Sequence, residues 1–363
     1  MKNETYTCPL TGSEDCTVLY EQQPVPVFQN KVFTTKEAAL KMQLAPVTLV
    51  HSNATGFVFN GSFGSIEMNY DTEYQNEQSN SGYFQQHLNH VLDLLEGKGL
   101  LNGKIIEIGC GKGYFLKMLQ ERNSNVTGFD PAYEGNDASI IKDYYSEKYA
   151  NIEADLIVLR HTLEHIPTPL QFIQQISKSN KGRGKIYIEV PTFDWIVNNE
   201  AVEDIFYEHC NYFTKETLQL LFEKSECEHV FNGQYLALTA DLKDVKQQIE
   251  KRKVEPRTTV FSSKIKEYKD LVAGQSNLAV WGAGAKGSTF VNLVDPKCEK
   301  IKCVVDINVK KQNCYVGGTG HLIIPPSEIN SRKINSILVM NPNYLPEIKN
   351  IINGFPINTL SLK

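Results

Sequence analysis

Apolar positions change their rhythm three times along the 363 residues. Residues 1–62 carry short β-like runs such as "APVTLV" among prolines, without a sustained period, and read as a small irregular N-terminal domain. A polar, tyrosine-rich segment from residue 63 then leads into a helix with Phe84, Leu88, Val91 and Leu95 on one face. Beyond it, buried runs "KIIEI", "NVTGFD", "DLIVLR" and "KIYIEV" alternate with helical patterns "YFLKMLQER" and "PLQFIQQIS", which predicts a parallel α/β sheet. A helix over "KETLQLLFEKSE" and a strand pair around "HVFNGQYLALTADL" complete this unit, 63–245. Val245 and Ile249, then Phe261, Ile265 and Tyr268, predict linker helices. A second α/β unit, 246–363, follows with strands "NLAVW", "IKCVVDIN" and "SILVM".

Both α/β units open with glycines between a strand and a helix. In "EIGCGKGYFL", Gly109, Gly111 and Gly113 let the backbone turn and approach a ligand, with helix amides aimed at it. Cys110 lies within the loop, and Asp130, twenty-one residues beyond Gly109, ends the next strand, where a carboxylate can meet ribose hydroxyls. Dinucleotide and S-adenosylmethionine binding are both compatible with such a loop. Glu107 before it and the form E-x-G-x-G-x-G resemble the first motif of class I methyltransferases. So does "RHTLEHIP", which brings Arg160, His161 and His165 to the carboxyl end of a strand, where open sheets bind ligands. Gly282, Gly284 and Gly287 match G-x-G-x-x-G, with Asp306 nineteen residues later. Taken bare, that pattern predicts a nicotinamide cofactor and an oxidoreductase.

One further stretch carries chemistry. "FYEHCNYF", residues 206–213, sets Glu208 beside His209 among aromatic rings. A histidine near pKa 6.5 accepts protons at neutral pH, a neighbouring carboxylate supports its conjugate acid, and aromatic walls exclude water.

The ordered set "VPTFDWIV", "FYEHCNYFT", "VWGAGAKGSTFVNLV", "VVDINVKKQNCYVGG" and "IIPPSEI" resembles the nucleotide-sugar C-methyltransferases over nearly the whole chain. The resemblance implies a zinc-binding-type N-terminal domain, a central class I methyltransferase Rossmann-like sheet and a second Rossmann-like, substrate-binding C-terminal domain. It implies S-adenosylmethionine held by Glu107, Gly109, Cys110, Gly111, Gly113, Asp130, Arg160 and His161. It implies a nucleotide-linked 4-keto deoxysugar touched by Tyr74, Tyr212, Gly284 and Lys286, with Lys286 near the diphosphate. It places His209 as the base, with Glu208, His165 and Tyr207 completing the catalytic set.

The chain departs from that pattern in two places. Where the family writes two C-x-x-C pairs, residues 8–11 read CPLT and 51–54 read HSNA, so Cys8 and His51 remain and Cys16 is out of spacing. Four thiolates make a structural zinc site; zinc is therefore not expected here. Phe206 stands where the family usually has tyrosine, which removes a donor to the keto oxygen and opens oxygen or nitrogen of a sugar as alternative acceptors.

A net charge of −5 supplies no basic field for nucleic acid. No run approaches the about 18 apolar residues of a membrane helix, and the N-terminus lacks a signal core. The eight cysteines lack paired spacing, as reduced thiols do. A cytoplasmic enzyme without an obligate protein partner is expected.

Overall fold

The computed structural model describes residues 5–64, 66, 79–123 and 125–362. Tyr74, expected at the sugar, lies outside them, as do Tyr70 and Gln78 of the same tyrosine-rich segment.

The central sheet has seven strands in the order Glu226–Val230, Tyr235–Asp241, Lys185–Pro191, Leu156–Arg160, Ile105–Ile108, Val126–Phe129 and Ile140–Ile141. Five are parallel; the hairpin partners Tyr235–Asp241 and Glu226–Val230 enter antiparallel. Ile105–Ile108 is the strand from which the order runs outward in both directions, so the loops after it and after Leu156–Arg160 flank a crevice. Its residues are buried on both faces, as a helix-covered parallel strand requires. Helix Gly82–Gly97 covers one face with Phe84, Leu88, Val91 and Leu95. Ser81 caps it by accepting a hydrogen bond from the Phe84 amide.

The C-terminal sheet is parallel throughout, in the order Ile323–Ile324, Ile301–Val305, Leu278–Trp281, Ser336–Val339 and Asn358–Ser361. Leu278–Trp281 again sits where the order reverses. The two α/β units thus present the same kind of crevice at their carboxyl ends.

The N-terminal segment is more regular than its residue pattern suggests. Cys16–Pro26 pairs antiparallel with Leu44–Ser52, but irregularities between Val18 and Tyr20 and between Gln22 and Val25 shift the register. Each shift exchanges the buried and exposed faces, which erases the two-residue alternation from the sequence. This sheet is finished by Val58–Asn60 and by Asn211–Tyr212 from the aromatic stretch. Val32–Phe33 pairs instead with Tyr315–Val316 of the C-terminal unit. One apolar cluster consequently joins Val25, Val47 and Leu49 to Ile205 and Tyr207 and to Val280 and Phe290. Shared burial of this kind holds the segments together by removing apolar surface from water, at about 25 cal/mol per Å².

Two expected helices differ. Thr214 caps a helix that covers only Lys215–Gln219, although Leu218, Leu221 and Phe222 are buried as their spacing implies. Phe222 bridges to Val245 in extended pairing, so no helix forms around Val245 and Ile249. The following chain donates from Arg252 and Val254 to the Ala54 and Asn53 carbonyls, and Pro256 cannot continue a helix. The linker helix that does form is Phe261–Ala273, burying Phe261, Tyr268 and Val272. Among the described residues no helix is long and apolar enough to cross a membrane.

Candidate active site

Gly109, Gly111 and Gly113 all have positive φ, at 76°, 55° and 78°. At Gly109 a Cβ would overlap the Thr162 hydroxyl, whereas at Gly111 it would meet open space. Only backbone therefore fits at the first position, and the second faces room for a ligand. Asp130 ends the neighbouring strand and accepts from the Gly111 and Ala132 amides, both at 2.8 Å. Its carboxylate therefore shapes the loop itself. Glu107 is buried, with Oε2 lacking a hydrogen-bond partner among the described residues. Burial pushes its pKa up to about 7, against the pull of Arg160. An orphan acceptor beside an open glycine loop fits a ligand that brings its own hydrogen-bond donors, as the amino-acid end and ribose of S-adenosylmethionine do. Cys110 is buried beneath the loop in the apolar cluster with Leu116 and Ile140.

Arg160 and His161 meet at Glu189, a fully buried carboxylate on the neighbouring strand. It accepts from Arg160 Nη2 at 2.8 Å, Tyr187 Oη at 2.9 Å and His87 Nε2 at 3.1 Å. His161 Nε2 lies 3.1 Å from the same Oε1, off the line of a hydrogen bond. Burial alone would raise the Glu189 pKa, but Arg160 and the two imidazoles outweigh it and hold the carboxyl well below its ordinary range. Arg160 is thereby committed to Glu189 and to the Phe115 ring, 4.5 Å away. It acts on the glycine loop through its charge rather than by reaching into it.

His161, Glu164, His165, Phe206, Glu208 and His209 all line one cleft. His165 Nδ1 lies 2.9 Å from the Glu208 carbonyl. A carbonyl only accepts, so Nδ1 carries the hydrogen and Nε2 the lone pair. The His165 and His209 rings are edge to face with centroids 4.9 Å apart, and Phe206 covers His209 at 4.1 Å. Electrostatics separate the three histidines. Burial would lower the His161 pKa, but Glu164 and Glu189 prevail and raise it. At His209, burial and then the His165 and His161 rings all act downward, holding it well below 6.5. Neutral His209 is a proton acceptor at neutral pH; His161 is the better cation.

Other expected contacts are corrected. Tyr207 is fully buried in the apolar cluster against Phe63, not in the cleft. Tyr212 is also absent from the cleft wall; its hydroxyl donates to the Phe206 carbonyl and accepts from the Phe206 amide. It shapes the loop that presents Phe206 and His209. The Glu208 carboxylate accepts from the Gln29 amide at 3.3 Å, tying the loop to the N-terminal segment.

The cleft encloses about 1530 Å³ including its mouth and reaches the second glycine loop. Gly284 and Lys286 line it, but Lys286 is ion-paired with Asp204. Gly287 packs where a Cβ would overlap the Gly282 carbonyl, so that glycine serves helix packing. Asp306 accepts from the Ala283 amide at 2.7 Å, repeating the Asp130 arrangement. Lys311, buried at this rim, donates to the Ala283 carbonyl at 2.9 Å. Its pKa is lowered by burial despite Asp306. At the N-terminus, Cys16 Sγ donates to the Ser13 carbonyl, and His51 Nδ1 lies 3.1 Å from Asn53 Oδ1.

The residue pattern alone does not mark Glu164, Glu189, Asp204 or Lys311 as site residues. Glu164 alone had a signal: it is the acid between the two histidines of "RHTLEHIP".

Residues 81–230 match the family model described as "Methyltransferase domain", and residues 242–355 that described as "C-methyltransferase C-terminal domain". The second match contains the GAGAKG loop. The chain is 25% identical over 318 residues to the C-methyltransferase NovU of Streptomyces niveus, covering 76% of this chain and 75% of NovU. It is 28% identical over 117 residues to a ubiquinone biosynthesis O-methyltransferase of Vibrio cholerae (strain ATCC 39541 / Classical Ogawa 395 / O395), covering 28% of this chain and 46% of that enzyme. Among solved structures, a DhpI-SAM-HEP complex matches at 14% identity and TM-score 0.32, covering 44% of this chain and 86% of that one. The plantazolicin methyltransferase BpumL, with a monoazolic desmethylPZN analog and SAH, matches at 14% and 0.35, covering 45% and 85%. With the glycine loop, the orphan Glu107 oxygen and both domain matches in one chain, the protein is an S-adenosylmethionine-dependent methyltransferase carrying a C-terminal domain of the C-methyltransferase type.

Proposed function

We propose that the protein methylates a carbon next to the ketone of a nucleotide-linked 4-keto deoxysugar, with His209 as the enolising base. The observation that carries this reading is the continuity of one cleft from the His165 and His209 pair to the second glycine loop, which would seat the sugar at one end and the nucleotide at the other. S-adenosylmethionine supplies an electrophilic methyl group for such chemistry. His209 takes the proton from the carbon that the ketone acidifies, and the C–H electron pair becomes the enolate. That carbon forms the new C–C bond as the methyl–sulfur bond breaks, leaving the sulfur neutral and the proton on His209. Glu164, whose Oε2 is buried without a partner among the described residues, stabilises the resulting imidazolium. Phe206, whose ring packs on His209, keeps water from quenching the enolate. Gly284 and the Lys286–Asp204 pair face the nucleotide end, with Lys286 free to exchange its carboxylate partner for a diphosphate oxygen.

Phe206 favours a second acceptor class. No phenol reaches the cleft at its position, so a sugar hydroxyl or amine is the alternative site of methylation. Incubation with S-adenosylmethionine and a panel of 4-keto nucleotide sugars, read by mass spectrometry in deuterated solvent, separates the two. Carbon methylation is accompanied by enzyme-dependent exchange at the carbon beside the ketone. Product whose new methyl group fragmentation places on oxygen or nitrogen sinks the enolate reading, and binding of NAD(H) without S-adenosylmethionine sinks the assignment of the glycine loops.

A further inference from the structure

Glu164, His165 and His209 each bring one ligand atom to within 4.8 Å of the other two. The centre of such a trio is no more than about 2.8 Å (4.8/√3) from any member. Zinc-type cations bind imidazole nitrogen and carboxylate oxygen at about 2.0–2.2 Å, so each atom closes by less than about 1 Å to reach a metal. Such movements are rotamer adjustments, not rearrangements of the fold.

Three independent features suit a cation. Glu164 is 2% exposed; its Oε1 faces His161 Nδ1 at 3.5 Å, while its Oε2 is buried with no hydrogen-bond partner among the described residues. His165 donates from Nδ1 to the Glu208 carbonyl, the outer contact that typically orients metal-binding imidazoles and leaves the other nitrogen to the ion. All three side chains line the cleft, which gives a dissolved ion an entry path.

We propose that Glu164, His165 and His209 form a binding site for a divalent transition cation of zinc type, and that the bound cation inhibits methyl transfer. Two imidazoles and one carboxylate are a ligand set for such ions, with further positions left for water. Inhibition follows because the lone pair of His209 that receives the substrate proton is the one that coordinates. This second half rests on the base assignment above; the binding half stands on the geometry alone.

Cobalt(II) and zinc(II) chloride are the probes, added to chelator-treated full-length protein. Cobalt is expected to bind at one ion per chain with ligand-field bands and no sulfur-to-cobalt charge transfer, which excludes Cys8 and Cys16 as ligands. Glu164→Gln and His165→Gln each weaken binding by more than about tenfold while still binding S-adenosylmethionine, which shows that they fold. Zinc slows turnover in proportion to occupancy, and chelation restores it. Absence of saturable cobalt binding, a thiolate charge-transfer band, or unchanged affinity in Glu164→Gln overturns the site. Binding without inhibition overturns the inhibitory half. Failure of the base assignment shows separately, as undiminished turnover by metal-free His209→Asn.

Discussion

The Nδ1–H of His165 bonds the carbonyl of Glu208, forty-three positions away, at 2.9 Å. That bond ties the loop after one sheet strand to the aromatic stretch that carries His209. It also sets the tautomer of the first ring, so the position of the second histidine depends on the first.

His209→Ala is expected to abolish methyl transfer while changing S-adenosylmethionine affinity by less than about twofold, because the ring lies outside the glycine loop. A retained hydrogen-bonding shape without basicity, as in His209→Asn, should be equally inactive. Single-turnover kinetics with separate titration of the methyl donor distinguishes this from a folding defect; near-normal turnover would remove His209 from the mechanism.

Tyr212→Phe tests the support beneath that loop. The phenol serves both the amide and the carbonyl of Phe206 inside the protein. Removing it leaves buried polar groups without their partner and should cost about 1–3 kcal/mol in urea unfolding. Turnover should fall as Phe206 and His209 lose their fixed placement. An unchanged unfolding midpoint would show that the loop holds itself.

The two glycines of the first loop should fail differently. Gly109→Ala places a methyl on the Thr162 hydroxyl at φ 76° and should lower Tm markedly. Gly111→Ala has space for its methyl but keeps φ 55°, which costs a side chain about 1–2 kcal/mol. Its main effect should be weaker S-adenosylmethionine binding if the methyl donor occupies that open space, as proposed for this loop. Thermal melts with and without the methyl donor separate the two, and equal loss of donor affinity in both variants, beyond their loss of stability, would contradict the assignment.

These contrasts also show where sequence reading succeeds. Glycine between a strand and a helix, and an acid ending the next strand, are local signals, so both loops were legible. "LEH" was legible for its position after a strand. Glu189 was not: in "KIYIEV" it is one polar letter, and its role arises from His87 on one helix and the consecutive Arg160 and His161 at the end of the neighbouring strand converging on it. Tyr207 and Phe206 exchanged roles for a related reason. The stretch around them is a turn followed by a two-residue strand, Asn211–Tyr212, too short for any period to say which ring faces the cleft. The N-terminal sheet was hidden by its own bulges.

The pair Asp295 and His321 gives a pH test remote from the cleft. Burial opposes the charge on Asp295, but His321 Nε2 at 3.1 Å and the amides of Ile301, Glu299 and Lys300 lower its pKa to about 2. A depressed carboxyl stabilises the fold above its unfolded value near 3.8, and that contribution, on the order of 2 kcal/mol, is lost as pH falls toward 2. His321 shifts the other way: burial would lower it, yet Asp295 and Cys298 raise it above 6.5. Its contribution is complete below 6.5 and fades as pH rises through the folded value. Urea unfolding of the wild-type chain should therefore show a stability shoulder between these limits. Asp295→Asn should flatten both edges, because it removes the carboxylate from each; His321→Asn should flatten the alkaline edge and weaken the acid one, leaving the three amide bonds to Asp295. An alkaline edge that survives in both variants would assign it to other groups.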